Sequence, residues 1–171
     1  MKEKKKKDPK KKKRALIITG SILGVFALFV ITVVMITIIG DKANIKRAES
    51  YDPVVIENQL VPEKDENGYW TFTTDRDLKI MQLIDIHLGG GWLSLKKDSQ
   101  AINAIATMIQ AEKPDLVIIT GDMAFPVFFK AATFNNKLPA KEIAALMEHL
   151  GVYWTVAFGN HDTEAYSYYS P

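Results

Sequence analysis

The feature that most constrains this chain is an uncharged stretch of 25 residues, 15–39, composed mainly of apolar side chains. A helix of that length extends about 37 Å, which exceeds the ~30 Å hydrocarbon core of a bilayer. A chain of this size has no core large enough to bury such a helix on all sides. We therefore predict an uncleaved transmembrane helix over 15–39. A cleaved signal peptide is the alternative, although its apolar region is usually about 7–15 residues and no clear cleavage motif follows here.

The charges on either side of this stretch predict its orientation. Residues 1–14 carry ten Lys/Arg, whereas only Lys42, Lys46 and Arg47 follow closely. The positive-inside rule then places the N-terminus in the cytoplasm and the rest of the chain outside a single-pass cell-membrane anchor. The basic tail, 1–14, would lie against anionic headgroups of the bilayer. A nucleic-acid-binding arm is the other interpretation of the tail.

The composition of the sequence excludes several classes of function. Residues 15–171 contain 12 Lys/Arg and 18 Asp/Glu, so the body of the protein is acidic. An acidic body argues against a nucleic-acid partner, whose footprint would be basic. The absence of cysteine excludes disulfides, thiol catalysis and Cys-ligated zinc. We expect residues 40–68 to form a polar juxtamembrane linker, in which Pro53 and Pro62 disfavour central strands.

Residues 69–171 have the pattern of an α/β domain. Strand-like segments occur at 69–73, 78–84, 116–120 and 152–158. Asp98 is a plausible N-cap of a helix to Glu112, and Pro139 suits the first turn of a helix to Leu150. The order β-β-α-β-α-β predicts a mainly parallel sheet covered by helices.

Three polar motifs each follow one of these strands. They are Asp85-Ile86-His87, Gly121-Asp122 and Gly159-Asn160-His161-Asp162. In α/β sheets, ligands bind outside the carboxyl ends of the strands, which is where these motifs lie. Their oxygen and nitrogen donors suit a borderline divalent metal, and two adjacent ions can activate a water for displacement at phosphorus. Each motif alone is as typical of a simple turn.

The segments IMQLIDIHLGGG, KPDLVIITGDM and YWTVAFGNHD together resemble the calcineurin-like metallophosphoesterases over residues 78–162, and are most similar to the branch related to purple acid phosphatases. The resemblance implies a phosphoester substrate and two divalent or trivalent ions, such as Mn, Fe or Zn. Asp85 and His87 would ligate the first ion, and Asp122 would bridge both. Asn160 would ligate the second ion, and His161 would be the general acid.

The chain departs from the family pattern at two points. Phe125 stands where many members have an Asp that orients the catalytic histidine, and Asp162 is a possible substitute. The additional histidines of the family's C-terminal half are also missing from this sequence. His149 does not replace them, because we expect it at a helix end. We therefore expect the anchor and N-terminal half of a metallophosphoesterase α/β sandwich, a fragment with weak metal binding and little turnover. Its uncovered sheet face would favour association with a missing half or with itself.

These observations predict a membrane-anchored, metal-dependent phosphoesterase whose residues 69–171 lie outside the cell. The alternative is a non-catalytic, membrane-anchored pseudoenzyme or binding module.

Overall fold

The computed structural model describes residues 9–164 and Tyr169. Along the chain, the elements are α1 (Pro9–Ala48), β1 (Glu63–Lys64), β2 (Trp70–Thr71), β3 (Ile80–Leu83), α2 (Leu95–Glu112), β4 (Leu116–Thr120), α3 (Phe128–Ala131), α4 (Lys137–Leu150) and β5 (Trp154–Ala157). The predicted α/β class is confirmed, because an N-terminal apolar helix precedes helices packed on a parallel sheet.

The sheet that positions the site has the strand order β3-β4-β5, with both pairs parallel. Leu83 is paired with Ile119, and Ile119 with Val156, so the three strands end at the same edge. One face of the sheet packs against α2 and α4, and the side chains buried there include Leu83, Ile102, Ile105, Ile109, Val117, Ile119, Ile143, Leu146, Met147 and Leu150. Burial of these apolar groups is the main source of stability for the domain.

The opposite face of the sheet is open to solvent in the part of the chain that the structure describes. Ile80 in β3 is 49% exposed, Ile84 just beyond it is 56% exposed, and Thr155 and Ala157 of β5 are exposed as well. A face of this kind exposes apolar surface that is available for contact with another surface.

The first predicted strand, 69–73, is not part of this sheet. Trp70 and Thr71 pair instead with Glu63 and Lys64 in a separate antiparallel hairpin. Asp65 accepts hydrogen bonds from the backbone of Asn67 and Tyr69, which stabilises the Asn-Gly turn. The strand is observed at Trp70–Thr71, but its expected place in the parallel sheet is wrong. Alternation indicates a strand but not its partner, and the local turn provides the nearest one.

Contacts divide the chain into one unit up to Ile36 and another from Thr37 onward. The predicted linker over 40–68 is corrected at its start, since α1 continues to Ala48. Within the second unit, the buried α1 residues are Thr37, Asp41, Asn44 and Ala48, which are three or four positions apart. That spacing places them on one helix face, so the end of α1 belongs to the packed domain.

One helix boundary also differs from its prediction. α2 begins at Leu95, so Asp98 lies in the first turn and is not the N-cap. Its buried carboxylate accepts hydrogen bonds from the backbone of Gly89 and Gly90 and from the Ser94 hydroxyl, at 3.0, 2.9 and 2.7 Å. Asp98 therefore holds the glycine-rich loop that follows β3, a role that a capping pattern does not reveal.

Candidate metal centre

Two loops that leave neighbouring strands are joined by backbone hydrogen bonds at the edge of the sheet. The N–H of His87 donates to the carbonyl of Asp122 at 2.9 Å, and that of Leu88 to Met123 at 3.0 Å. These bonds continue the parallel pairing beyond the ends of β3 and β4, so the motif residues of both loops lie side by side.

Three of the predicted site residues have left-handed backbone conformations. The φ angles of Asp85, His87 and Asp122 are 50°, 53° and 52°. Non-glycine residues adopt this region infrequently, and such conformations concentrate at functional sites because the surrounding structure must maintain them. Here they turn the chain sharply just after β3 and again just after β4.

The structure brings His87, Asp122 and His161 into one group of donors. One ligand atom from each lies within 4.8 Å of the others. The Nε2 atom of His87 is 3.6 Å from Asp122 Oδ2 and 3.9 Å from Asp85 Oδ1. A carboxylate and imidazoles at this separation fit a borderline divalent cation such as Zn, Mn or Fe.

Asp122 is suited to remain ionised. Its Oδ1 accepts a hydrogen bond from the backbone N–H of His161 at 2.9 Å. That bond is the largest influence lowering the pKa of Asp122, and the nearby His161 and His87 side chains act in the same direction. A cation would therefore meet a carboxylate at neutral pH.

The other two predicted ligands lie less close to this group. Asp85 is near His87, with 61% of its side chain exposed. Asn160 is exposed, and its amide nitrogen lies 3.4 Å from Glu164 Oε2. The structure thus groups His87, Asp122 and His161, places Asp85 at the rim and turns the Asn160 amide toward Glu164.

Asp162, the possible substitute for the Asp that Phe125 replaces, is buried and hydrogen-bonded to backbone N–H groups. Asp162 is 3% exposed, and its oxygens accept hydrogen bonds from the backbone N–H groups of Asp122, Ala124 and Gly159 at 3.1, 2.7 and 2.7 Å. This carboxylate joins the β4 and β5 loops through backbone hydrogen bonds.

The residue that contacts the His161 ring is Glu164, which sequence reasoning missed. Glu164 Oε2 contacts His161 Nδ1 directly. The sequence signal for this contact was the position of Glu164, three residues after His161 in a turn. A carboxylate at one ring nitrogen orients the imidazole and leaves Nε2 as the other nitrogen for chemistry or ligation.

Phe125, the departure from the family pattern, packs against both histidines. Its ring centroid is 5.3 Å from that of His87 and 4.3 Å from that of His161. The Lys130 ammonium lies 4.6 Å from the Phe125 centroid on the ring face. Phe125 thus supports the imidazoles by packing, where an Asp would have supplied a hydrogen bond.

His149 lies outside the site, as expected for a helix-end residue. It is in the last turn of α4, and its Nε2 is 2.9 Å from the carbonyl oxygen of Tyr51. It therefore contributes to packing of the segment after α1.

Comparisons with known proteins assign the chain to a family. Residues 78–171 match the calcineurin-like phosphoesterase family. The chain is similar to probable inactive purple acid phosphatase 28 of Arabidopsis thaliana, with 27% identity over 119 residues that cover 63% of this chain and 29% of the relative. It is also similar to probable inactive purple acid phosphatase 29 of the same plant, with 28% identity over 117 residues that cover 61% and 29%. No solved structure gives a significant match.

The chain spans less than a third of the length of these curated relatives. The family match nevertheless covers more than half of the chain and includes all three motifs at the sheet edge. It confirms the resemblance predicted from those motifs, and the chain belongs to the calcineurin-like phosphoesterase family.

Proposed function

We propose that this protein takes part in metal-dependent hydrolysis of phosphoesters. The observation that carries the proposal is the group formed by His87, Asp122 and His161, whose ligand atoms lie within 4.8 Å of one another at the sheet edge. Such a group offers a divalent ion the carboxylate oxygen of Asp122 and an imidazole nitrogen of His87, with the His161 imidazole beside them. The family to which the chain belongs supports hydrolysis as the reaction.

Each predicted residue has a specific role in this proposal. Asp85 and His87 would hold one ion, Asp122 would bridge to a second, and Asn160 would complete the second ion and contact the phosphate. Bound ions of this kind, such as Mn, Fe or Zn, lower the pKa of a water and polarise the phosphoryl oxygens. His161, oriented by Glu164, would protonate the leaving group.

We also propose that the site lies outside the cell membrane, anchored by α1. One helix, Pro9–Ala48, is long and apolar enough to cross a bilayer, and it lies near the N-terminus. A signal sequence has the same properties. The ten basic residues that precede the apolar stretch favour an anchor with its N-terminus in the cytoplasm.

A second candidate is a non-catalytic binding module. It is favoured by Phe125, which packs on both histidines at the position where many members of the family have an Asp. Both plant relatives are named probable inactive phosphatases. In this alternative the site would bind metal and phosphate without turnover.

The first test is Mn²⁺ binding by isothermal titration calorimetry on the full chain in detergent. We expect Asp122→Asn to weaken binding at least tenfold, because it removes the charged oxygen that the two histidines face. Asp77→Asn, which changes an exposed carboxylate outside the site, is the matched control. Equal affinity in wild type and Asp122→Asn would refute the proposed site.

A measurement of turnover distinguishes the phosphoesterase from the non-catalytic binding module. Hydrolysis of p-nitrophenyl phosphate that requires Mn²⁺ and is lost in Asp122→Asn would support the enzyme. Metal binding by the full chain with no turnover would support the binding module.

A further inference from the structure

We propose that the cavity beside His87 binds the remainder of a phosphoester that carries a second negative charge and an apolar or aromatic body. The inference rests on the proposed function, since the phosphate to be cleaved would lie at the metal centre. The residues that would recognise the substrate are Lys97, Lys130 and Phe129, none of which belongs to the predicted metal site.

The cavity opens directly from the metal centre. It has a volume of about 470 Å³, and its wall includes His87 and Phe125 from the centre together with Lys97, Phe129 and Lys130. α2 supplies Lys97 and α3 supplies Phe129 and Lys130. A group attached to a phosphate at His87 would enter this space.

The charges along this wall favour an anion. Lys97 and Lys130 are exposed, and in the described part of the chain neither forms an ion pair with a carboxylate. Asp98 also lines the cavity, but it is 2% exposed and its oxygens accept hydrogen bonds from Gly89, Gly90 and Ser94. Two lysines without an ion-pair partner in the described part of the chain therefore line the cavity of an otherwise acidic domain.

The position of Lys130 sets where the second charge would lie. Its ammonium lies over the Phe125 ring at 4.6 Å from the centroid, and that ring also packs against His161, at 4.3 Å between centroids. The Lys130 ammonium and the His161 imidazole therefore contact the same ring. A substrate bound at His161 that extends beyond its phosphate would reach Lys130.

The wall also has a surface for the body of the substrate. Phe129 is 88% exposed, although it is apolar and lies next to Lys130. An exposed aromatic ring beside cations is suited to stacking or apolar contact with a ligand. An aryl phosphate with a carboxylate or a second phosphate has the required combination.

The test compares two non-hydrolysable probes, phenylphosphonate and 4-phosphonobenzoate, which differ only by a carboxylate. Binding is measured calorimetrically on the full chain in detergent with Mn²⁺ present. We expect 4-phosphonobenzoate to bind wild type about tenfold more tightly, the gain typical of a charge-assisted contact. The double variant Lys97→Gln/Lys130→Gln is expected to lose this preference while binding phenylphosphonate as wild type does.

Lys137→Gln is the matched control, because the Lys137 ammonium also lies over an aromatic ring, that of Tyr169 at 5.0 Å, beside a different cavity. It is expected to retain the preference for the carboxylated probe. Equal binding of both probes to wild type, or a preference that persists in the double variant, would overturn the inference.

The same titrations separate failure of the metal site from failure of this cavity. If phenylphosphonate does not bind with Mn²⁺, the proposed function fails at its first step. Binding of 4-phosphonobenzoate that the double variant abolishes would still support the cavity as an anion site, and no binding of either probe would overturn both proposals.

Discussion

At the scale of single residues, Asp162 accepts hydrogen bonds from three backbone N–H groups, whereas Glu164 contacts Nδ1 of His161. The two carboxylates are only two positions apart, but one is buried and the other exposed. Buried backbone N–H groups require an acceptor, and Asp162 lies where three of them converge. That leaves Glu164 as the carboxylate able to reach the imidazole.

The glycine before this motif allows the loops to approach each other. A Cβ added to Gly159 would lie 2.5 Å from the backbone nitrogen of Asp122 and would overlap its Oδ1. We expect Gly159→Ala to lower the free energy of unfolding by about 1–3 kcal/mol, as overpacking does, and to weaken Mn²⁺ binding by displacing the Asp122 carboxylate. Urea unfolding and calorimetry would measure both effects.

Gly24→Ala is the control, because a Cβ there meets nothing within 4 Å. It should leave domain unfolding and metal affinity at wild-type values. Wild-type behaviour of Gly159→Ala would show that the β4 and β5 loops can separate without affecting the site.

At the scale of elements, the end of α1 meets α4 through a buried polar contact. The Asn44 amide nitrogen lies 3.2 and 3.3 Å from the two carboxylate oxygens of Glu142, a side chain that is 0% exposed. Burial, followed by the negative charge of Asp98, raises the pKa of Glu142 to about 8, with Asp41 adding a smaller effect in the same direction. Carboxyl groups on α1, α2 and α4 are therefore concentrated where these helices pack.

The raised pKa predicts how stability depends on pH. In the unfolded chain Glu142 has an ordinary pKa near 4.5, so between about pH 4.5 and 8 the folded state holds a proton that the unfolded state has lost. The free energy of unfolding should therefore fall with rising pH across that window, by at most about 1.4 kcal/mol per pH unit, and level off above it.

Glu142→Gln should remove this slope, because Gln keeps the shape of a protonated Glu and cannot ionise. Its stabilising effect should be greatest near pH 8 and absent below about pH 4.5, measured by urea unfolding at several pH values. Glu49→Gln alters an exposed carboxylate and should leave the slope intact. An unchanged slope in Glu142→Gln would assign the pH dependence to other groups.

Elements with strong local signals were predicted well. The apolar periodicity and flanking residues predicted α2 and α4 to within four residues, and the apolar run 116–120 coincides with β4. The placement of 69–73 in the parallel sheet was wrong, and α1 continues past the start of the expected linker. Pairing depends on which backbone lies nearby, and the polar residues Asp41 and Asn44 become buried only because the domain packs against them.

At the scale of the whole molecule, the chain combines a strongly basic N-terminal tail, an apolar helix and an acidic body. The absence of cysteine allows topology to be tested with single substitutions. With a membrane-impermeant maleimide on intact cells, we expect Glu66→Cys to be labelled and Lys4→Cys to be labelled only after permeabilisation. The wild-type chain should remain unlabelled.

One outcome would contradict the proposed orientation, and another would contradict the anchor itself. Labelling of Lys4→Cys alone in intact cells would reverse the orientation. Recovery of the protein in the soluble fraction, shortened at its N-terminus, would identify 15–39 as a signal peptide.

The sequence alone determined the sheet edge at which the three motifs lie, because Asp85, His87, Asp122, Asn160 and His161 follow strands whose apolar pattern is local. The apolar stretch likewise follows from composition. Only the tertiary structure decided that Glu164 contacts His161, that Phe125 packs on both imidazoles and that α1 enters the domain. These features depend on side-chain positions within folded loops and on contacts between distant segments, which residue type and spacing do not specify.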